Sequence, residues 1–137
     1  MPAWSPDGTR IIFGRDLGGV NFEVFTMNAD GSGTTQLTND PASDFMPDWS
    51  PDGTRIIFTS SCSGRLALYV MNTDGAEITR LTNGPGDDFS PAWSFDGTMI
   101  AFVNDTDSNP DICVMRSDGT DRTELTENAG EDLEPSW

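Results

Sequence analysis

Residues 47–58 read Pro47-Asp48-Trp49-Ser50-Pro51-Asp52-Gly53-Thr54-Arg55-Ile56-Ile57-Phe58. The same phrase stands at 2–13, with Trp4-Ser5-Pro6-Asp7-Gly8 in place of Trp49-Ser50-Pro51-Asp52-Gly53. It returns at 91–102, where Phe95 replaces the second proline and Met99 and Ala101 replace Arg55 and Ile57. Trp4, Trp49, Trp93 and Trp137 are 45, 44 and 44 residues apart. Other positions keep the same period. Met27, Met71 and Met115 each open a stretch ending in Asp-Gly, and the pairs Leu37-Thr38, Leu81-Thr82 and Leu125-Thr126 follow. Asp44, Asp88 and Asp132 then precede the next tryptophan. Self-similarity at a fixed period of this size is the mark of a repeat architecture.

Each repeat reads as four short strands, A to D. Strand A ends at the tryptophan. Strand B carries Ile11-Ile12-Phe13, Ile56-Ile57-Phe58 or Ile100-Ala101-Phe102, and strand C carries the run ending at Met27, Met71 or Met115. Strand D ends at the Leu-Thr pair. The B and C runs are apolar at both alternating positions, which predicts sheets covered on both faces. Ser-Pro-Asp-Gly between A and B supplies a proline for φ near −65° and a glycine for positive φ, the chemistry of a tight turn. Asp30-Gly31, Asp74-Gly75 and Asp118-Gly119 predict hairpins between C and D. In the third copy Gly97 survives beside Phe95, so the turn is expected to persist. The expected fold is all-β. Its repeats span about 2–45, 46–89 and 90–133, and 134–137 copies strand A once more.

Composition narrows the function. The formal charge is −16, from 23 acidic side chains against seven arginines, with no histidine. A surface this acidic repels nucleic acid and anionic membranes and favours cations and basic proteins. No apolar run is long enough to span a bilayer, so membrane insertion is not expected. The sequence opens inside a repeat rather than on a secretory signal, so the missing signal says little about compartment. Without histidine, neither a Ser-His-Asp nor a Cys-His nucleophilic site can be assembled from this chain. Two cysteines without histidine rarely make a zinc site. Cys113 stands where Phe25 and Tyr69 stand in the other copies and reads as a small core residue, whereas Cys62 falls in a loop, so a bridge between them is not expected.

The pattern P-x-W-S-P-D-G-x-x-I-x-F, followed by V-M-N-x-D-G and L-T, resembles the WD-like repeat of the TolB propeller family. The resemblance runs through all 137 residues. It implies four-stranded antiparallel β-propeller blades around a central channel. TolB rings usually have six blades, so three blades would make half a ring. It implies a periplasmic or extracellular setting and a module that binds protein or peptide. Similar blades also occur as gating domains of larger hydrolases, and fold analogy alone does not choose between these roles.

In such a ring Asp44, Asp88 and Asp132 would each precede the innermost strand and circle one level of the channel. Two readings stand for them. Crowded carboxylates repel unless a cation joins them, and Ca²⁺ prefers oxygen ligands of this kind. Alternatively, the three side chains cap polar backbone groups between strands D and A. A metal-dependent enzyme using these acids is a further alternative, without a particular pair to recommend it. The acidic run from Asp105 to Asp111 lacks the glycine and distant glutamate of a calcium-binding loop and reads as solvated. The tryptophans and phenylalanines read as packing between blades, with Trp4, Trp49 and Trp93 in equivalent places. Three blades cannot close a circle, so the chain is expected to pair with a second copy as a homodimer, with 134–137 available as a clasp.

Overall fold

The computed structural model describes residues 1–19, 21–106, 108–126 and 130–136. Three four-stranded antiparallel sheets follow one another along the chain. The first holds β1 (Ala3–Trp4), β2 (Arg10–Asp16), β3 (Phe22–Asn28) and β4 (Thr35–Gln36). The second holds β5 (Asp44–Trp49), β6 (Arg55–Ser60), β7 (Ala67–Asn72) and β8 (Thr79–Arg80). The third holds β9 (Asp87–Trp93), β10 (Met99–Asp105), β11 (Asp111–Arg116) and β12 (Thr123–Glu124). Each sheet is one blade, and its strands pair in sequence order. Strand A thus begins at Asp44 and Asp87, a little before the repeat boundaries drawn from the sequence at 45/46 and 89/90.

Two local motifs explain the repeated phrases. In the A–B turn, one carboxylate oxygen of Asp52 accepts hydrogen bonds from the Ser50 hydroxyl (2.6 Å), the Thr54 amide (3.0 Å) and the Thr54 hydroxyl (2.9 Å). Asp7 and Asp96 do the same in their blades. Gly8, Gly53 and Gly97 close the turns at φ near 70°, the region glycine enters without a Cβ penalty. The Gly97 amide donates to the Ser94 carbonyl at 2.9 Å, so the turn survives the change to Phe95. The Leu-Thr pair has a different task. The hydroxyls of Thr38, Thr82 and Thr126 accept from the amides of Val24, Leu68 and Ile112 at 2.9, 3.0 and 2.9 Å. Each satisfies a strand-C amide that the short strand D does not reach.

The core lies between blades. Ile12 and Val24 of the first blade meet Trp49, Ile56, Phe58 and Met71 of the second. Ile57, Leu68 and Val70 on its other face meet Trp93, Ile100, Phe102 and Cys113 of the third. This is why the B and C runs are apolar on both alternations: the middle blade is buried on both faces. Trp49 and Trp93 accordingly keep 5% and 7% of their surface exposed. Trp4, expected in an equivalent place, is instead 60% exposed, because among the described residues its blade packs against the second on the opposite face only. Residues 131–136 form no strand, and Trp137 lies outside the described residues. Both cysteines are free, Cys113 buried and Cys62 exposed.

Candidate functional site along the inner strands

The ends of the three A strands converge. Residues 1–4 and 134–136 join the segments 46–49 and 90–93 to line one cleft of about 440 Å³. Its walls are mostly apolar, with three tryptophans and a proline from each copy of the repeat. The floor is shaped by an irregularity that recurs along the later copies. Met46, Ser90 and Glu134 have φ of 52°, 52° and 59°, and the A–B pairing slips at Met46 and again at Ser90. Such a bulge re-aims the strand and is common beside binding sites. Nothing in the sequence announced it. None of the three is glycine, and each precedes a proline, which ordinarily favours extended backbone. The Ser90 hydroxyl lies 3.2 Å from the Met46 sulfur, tying adjacent bulges together.

Asp48 is the one acid within 46–49 and 90–93, standing where the other copies have Ala3 and Ala92. Its carboxylate accepts from the Trp49 amide at 2.9 Å and from the Trp93 amide of the next blade at 3.0 Å. Burial pushes its pKa up, and these two amides act in the opposite sense. Sequence reasoning passed over this residue, although the departure from alanine was visible.

The acids singled out from their spacing take three different places. Asp44 is buried between the first two blades, near Thr38, Glu23 and Ser60. Burial raises its carboxyl to about 6, against hydrogen bonds from Ser60 and Thr38 and with help from the charges of Asp40 and Glu23. One of its oxygens and one of Glu23 are buried without a hydrogen-bond partner. Asp88 is also buried, but it accepts from the Asn104 amide group at 2.9 Å and pairs with the Arg122 guanidinium at 3.2 Å. Asp132 is half-buried, and its amide donates to the Pro110 carbonyl at 2.9 Å. Among the described residues no group of three or more acidic or cysteine side chains is placed to hold a metal ion. A ring of six such carboxylates would require three further blades. In the run from Asp105 to Asp111, Asp107 lies outside the described residues, and Asp111 accepts from the Thr126 hydroxyl at 3.1 Å.

Four-stranded sheets packed face to face, with their first strands converging on one cleft, define the blades of a β-propeller. The chain belongs to the TolB beta propeller domain family, whose model matches residues 1–137. It is 51% identical over 41 residues to the Tol-Pal system protein TolB of Anaeromyxobacter dehalogenans, a match covering 30% of this chain and 9% of that protein. The solved TolB structure from Agrobacterium tumefaciens superposes with a TM-score of 0.85 at 30% identity, over 90% of this chain and 47% of that one. TolB from Acinetobacter baumannii superposes with a TM-score of 0.82 at 27% identity, over 98% of this chain and 33% of that one. The chain therefore spans less than half the length of each of these proteins.

Proposed function

We propose that the chain is a non-catalytic, periplasmic propeller module that closes a six-bladed ring with a second copy of itself and holds an extended segment of a basic protein in the inner-strand cleft. The observation that carries the binding role is the cleft itself: mostly apolar, lined by the converging inner segments, and set in a chain of charge −16. Apolar walls supply contact area, and the acidic surround favours cationic partners and speeds their encounter. The periplasmic setting rests on the relative named for the Tol-Pal system. With no histidine in the chain, a gating role in a larger hydrolase would leave the catalytic histidine of a Ser-His-Asp site to other segments.

The binding role is tested with short fluorescent peptides of mixed sequence, apolar residues being interspersed with arginine in one set and with glutamate in the other. The arginine set is expected to bind at least about tenfold tighter, and Met46→Lys, which places a cation in the cleft, to weaken its binding by about tenfold or more. Equal binding of both sets, or binding indifferent to Met46→Lys, would overturn this reading. Ring closure is tested separately by light scattering. The expected mass at micromolar concentration is twice the 14.8 kDa of one chain. A stable monomer, or an open series of larger masses, would count against closure.

A further inference from the structure

Two places where one copy of the repeat departs from the others, Arg15 in the first blade and Phe95 in the third, are exposed. On the face of the second blade toward the first, Trp49, Ile56, Phe58 and Met71 are buried; their counterparts on the first blade, Trp4, Ile11, Phe13 and Met27, face outward. On the third blade, Ile112, Val114 and Leu125 are the counterparts of Leu68, Val70 and Leu81, which pack against the neighbouring blade. The outer faces of the first and third blades thus carry the counterparts of the two sides of a blade–blade interface.

The polar register continues across the same gap. The Asp88 amide binds the Leu66 carbonyl of the second blade, and its carboxylate meets Asn104 on strand B of the third. Asp132 repeats the first half of this arrangement, its amide binding the Pro110 carbonyl of the third blade. The strand-B residue that would meet it on a following blade corresponds to Asn104 and Ser60, and on the first blade that residue is Arg15. Arg15 is exposed, with its guanidinium 5.3 Å from the Phe13 ring centre and 4.4 Å from that of Phe25. In the third blade the Arg122 guanidinium lies 5.1 Å from the ring centre of Phe102, the counterpart of Phe13, and from there pairs with Asp88. A cation already occupies the equivalent place on the first blade.

The A–B turns tell the same story. A Cβ added at Gly53 would lie 3.8 Å from Pro6, and one added at Gly97 would lie 3.3 Å from Pro51, so each turn rests on the one before it. Gly8 has open space in front of it. The residue due to meet Gly8 across a junction is Phe95, which replaces proline and is 84% exposed.

We propose that two copies of this chain join head to tail, the third blade of one against the first blade of the other, and that Asp132 paired with the second copy's Arg15 fixes the register of this junction. Phe95 covers Gly8 of the second copy. The inference rests on the ring reading above and adds the identity of the junction. A two-fold ring contains two such junctions, so a charge reversal at either residue strikes both.

The test uses the 137-residue chain. Arg15→Asp sets two carboxylates against each other at both junctions, and Asp132→Arg sets two guanidinium groups against each other. Each variant alone is expected to dimerise at least about tenfold more weakly than the parent. An equimolar mixture restores an opposite-charge pair at both junctions of the mixed dimer. Light scattering of the mixture is therefore expected to recover the dimer mass at a concentration where each variant alone is monomeric. This recovery also establishes that both variants are folded. A parent dimer whose affinity is indifferent to Arg15→Asp would overturn the junction and leave the ring standing. Weakened single variants that fail to complement on mixing would also overturn the junction. A monomeric parent would overturn the ring and the junction with it.

Discussion

Replacing Trp93 by alanine is expected to remove about 3–5 kcal/mol of folding stability, the usual cost of deleting a large aromatic side chain from a core. The side chain is 7% exposed and packs among Ile57, Leu68, Phe102 and Met115 between the second and third blades. A cavity there would persist between the two sheets rather than collapse, because the inner strands hold the blades in place through Asp48. The same change at Trp4 is the control. Trp4 occupies the same place in the repeat but is 60% exposed, so in the monomer Trp4→Ala is expected to cost less than about 1 kcal/mol. Urea unfolding of both variants, at a concentration where the chain is monomeric, reads the difference. Equal losses would mean that burial between blades is not what the repeated tryptophan contributes.

The second large effect is expected at Arg122. Its guanidinium lies 3.2 Å from one oxygen of Asp88 and 3.4 Å from the other. The Asp88 side chain is 2% exposed and that of Arg122 31% exposed, so the acid depends on its partner more than the base does. Arg122→Ala leaves a buried carboxylate with Asn104 as its remaining side-chain donor. The expected loss is about 2–4 kcal/mol, somewhat under the range for a fully buried pair because Arg122 is reached by water. Asp88→Asn in the Arg122→Ala background removes the stranded charge and is expected to restore much of that loss. A double-mutant cycle by chemical denaturation measures the coupling, and a value near zero would show that the pair contributes nothing.

The sequence carried the architecture because each blade is specified locally. Ser-Pro-Asp-Gly-Thr contains its own turn: the aspartate, serine and threonine that bond to one another lie within a few residues, as do the glycines that close the turn. The two-sided apolar runs of strands B and C reported that each sheet would be sandwiched, and the period marked where one sheet stops and the next begins. The Leu-Thr pair was legible as a landmark but not as a function, because its hydroxyl acts on an amide 14 residues earlier in the chain.

What the period could not convey is position in the stack. Trp4 and Trp93 have the same sequence neighbours and opposite exposures, since burial depends on whether another blade stands in front. Asp44, Asp88 and Asp132 likewise share a register without sharing an environment. One sits beside the buried Glu23, one is paired with Arg122, and one is half-buried on the third blade. Their equivalence as a channel ring was an inference from spacing, and spacing does not say which side chains of the neighbouring blade they meet. The bulges at Met46 and Ser90 were hidden for a related reason: a positive φ at a residue before proline is imposed by convergence of the inner strands, against local preference. The sequence by itself determined the blades, their turns and their order, through contacts a few residues apart. Only the tertiary structure decided which tryptophans are buried, how each acid is compensated and how the cleft is shaped, because those depend on side chains brought together from different blades.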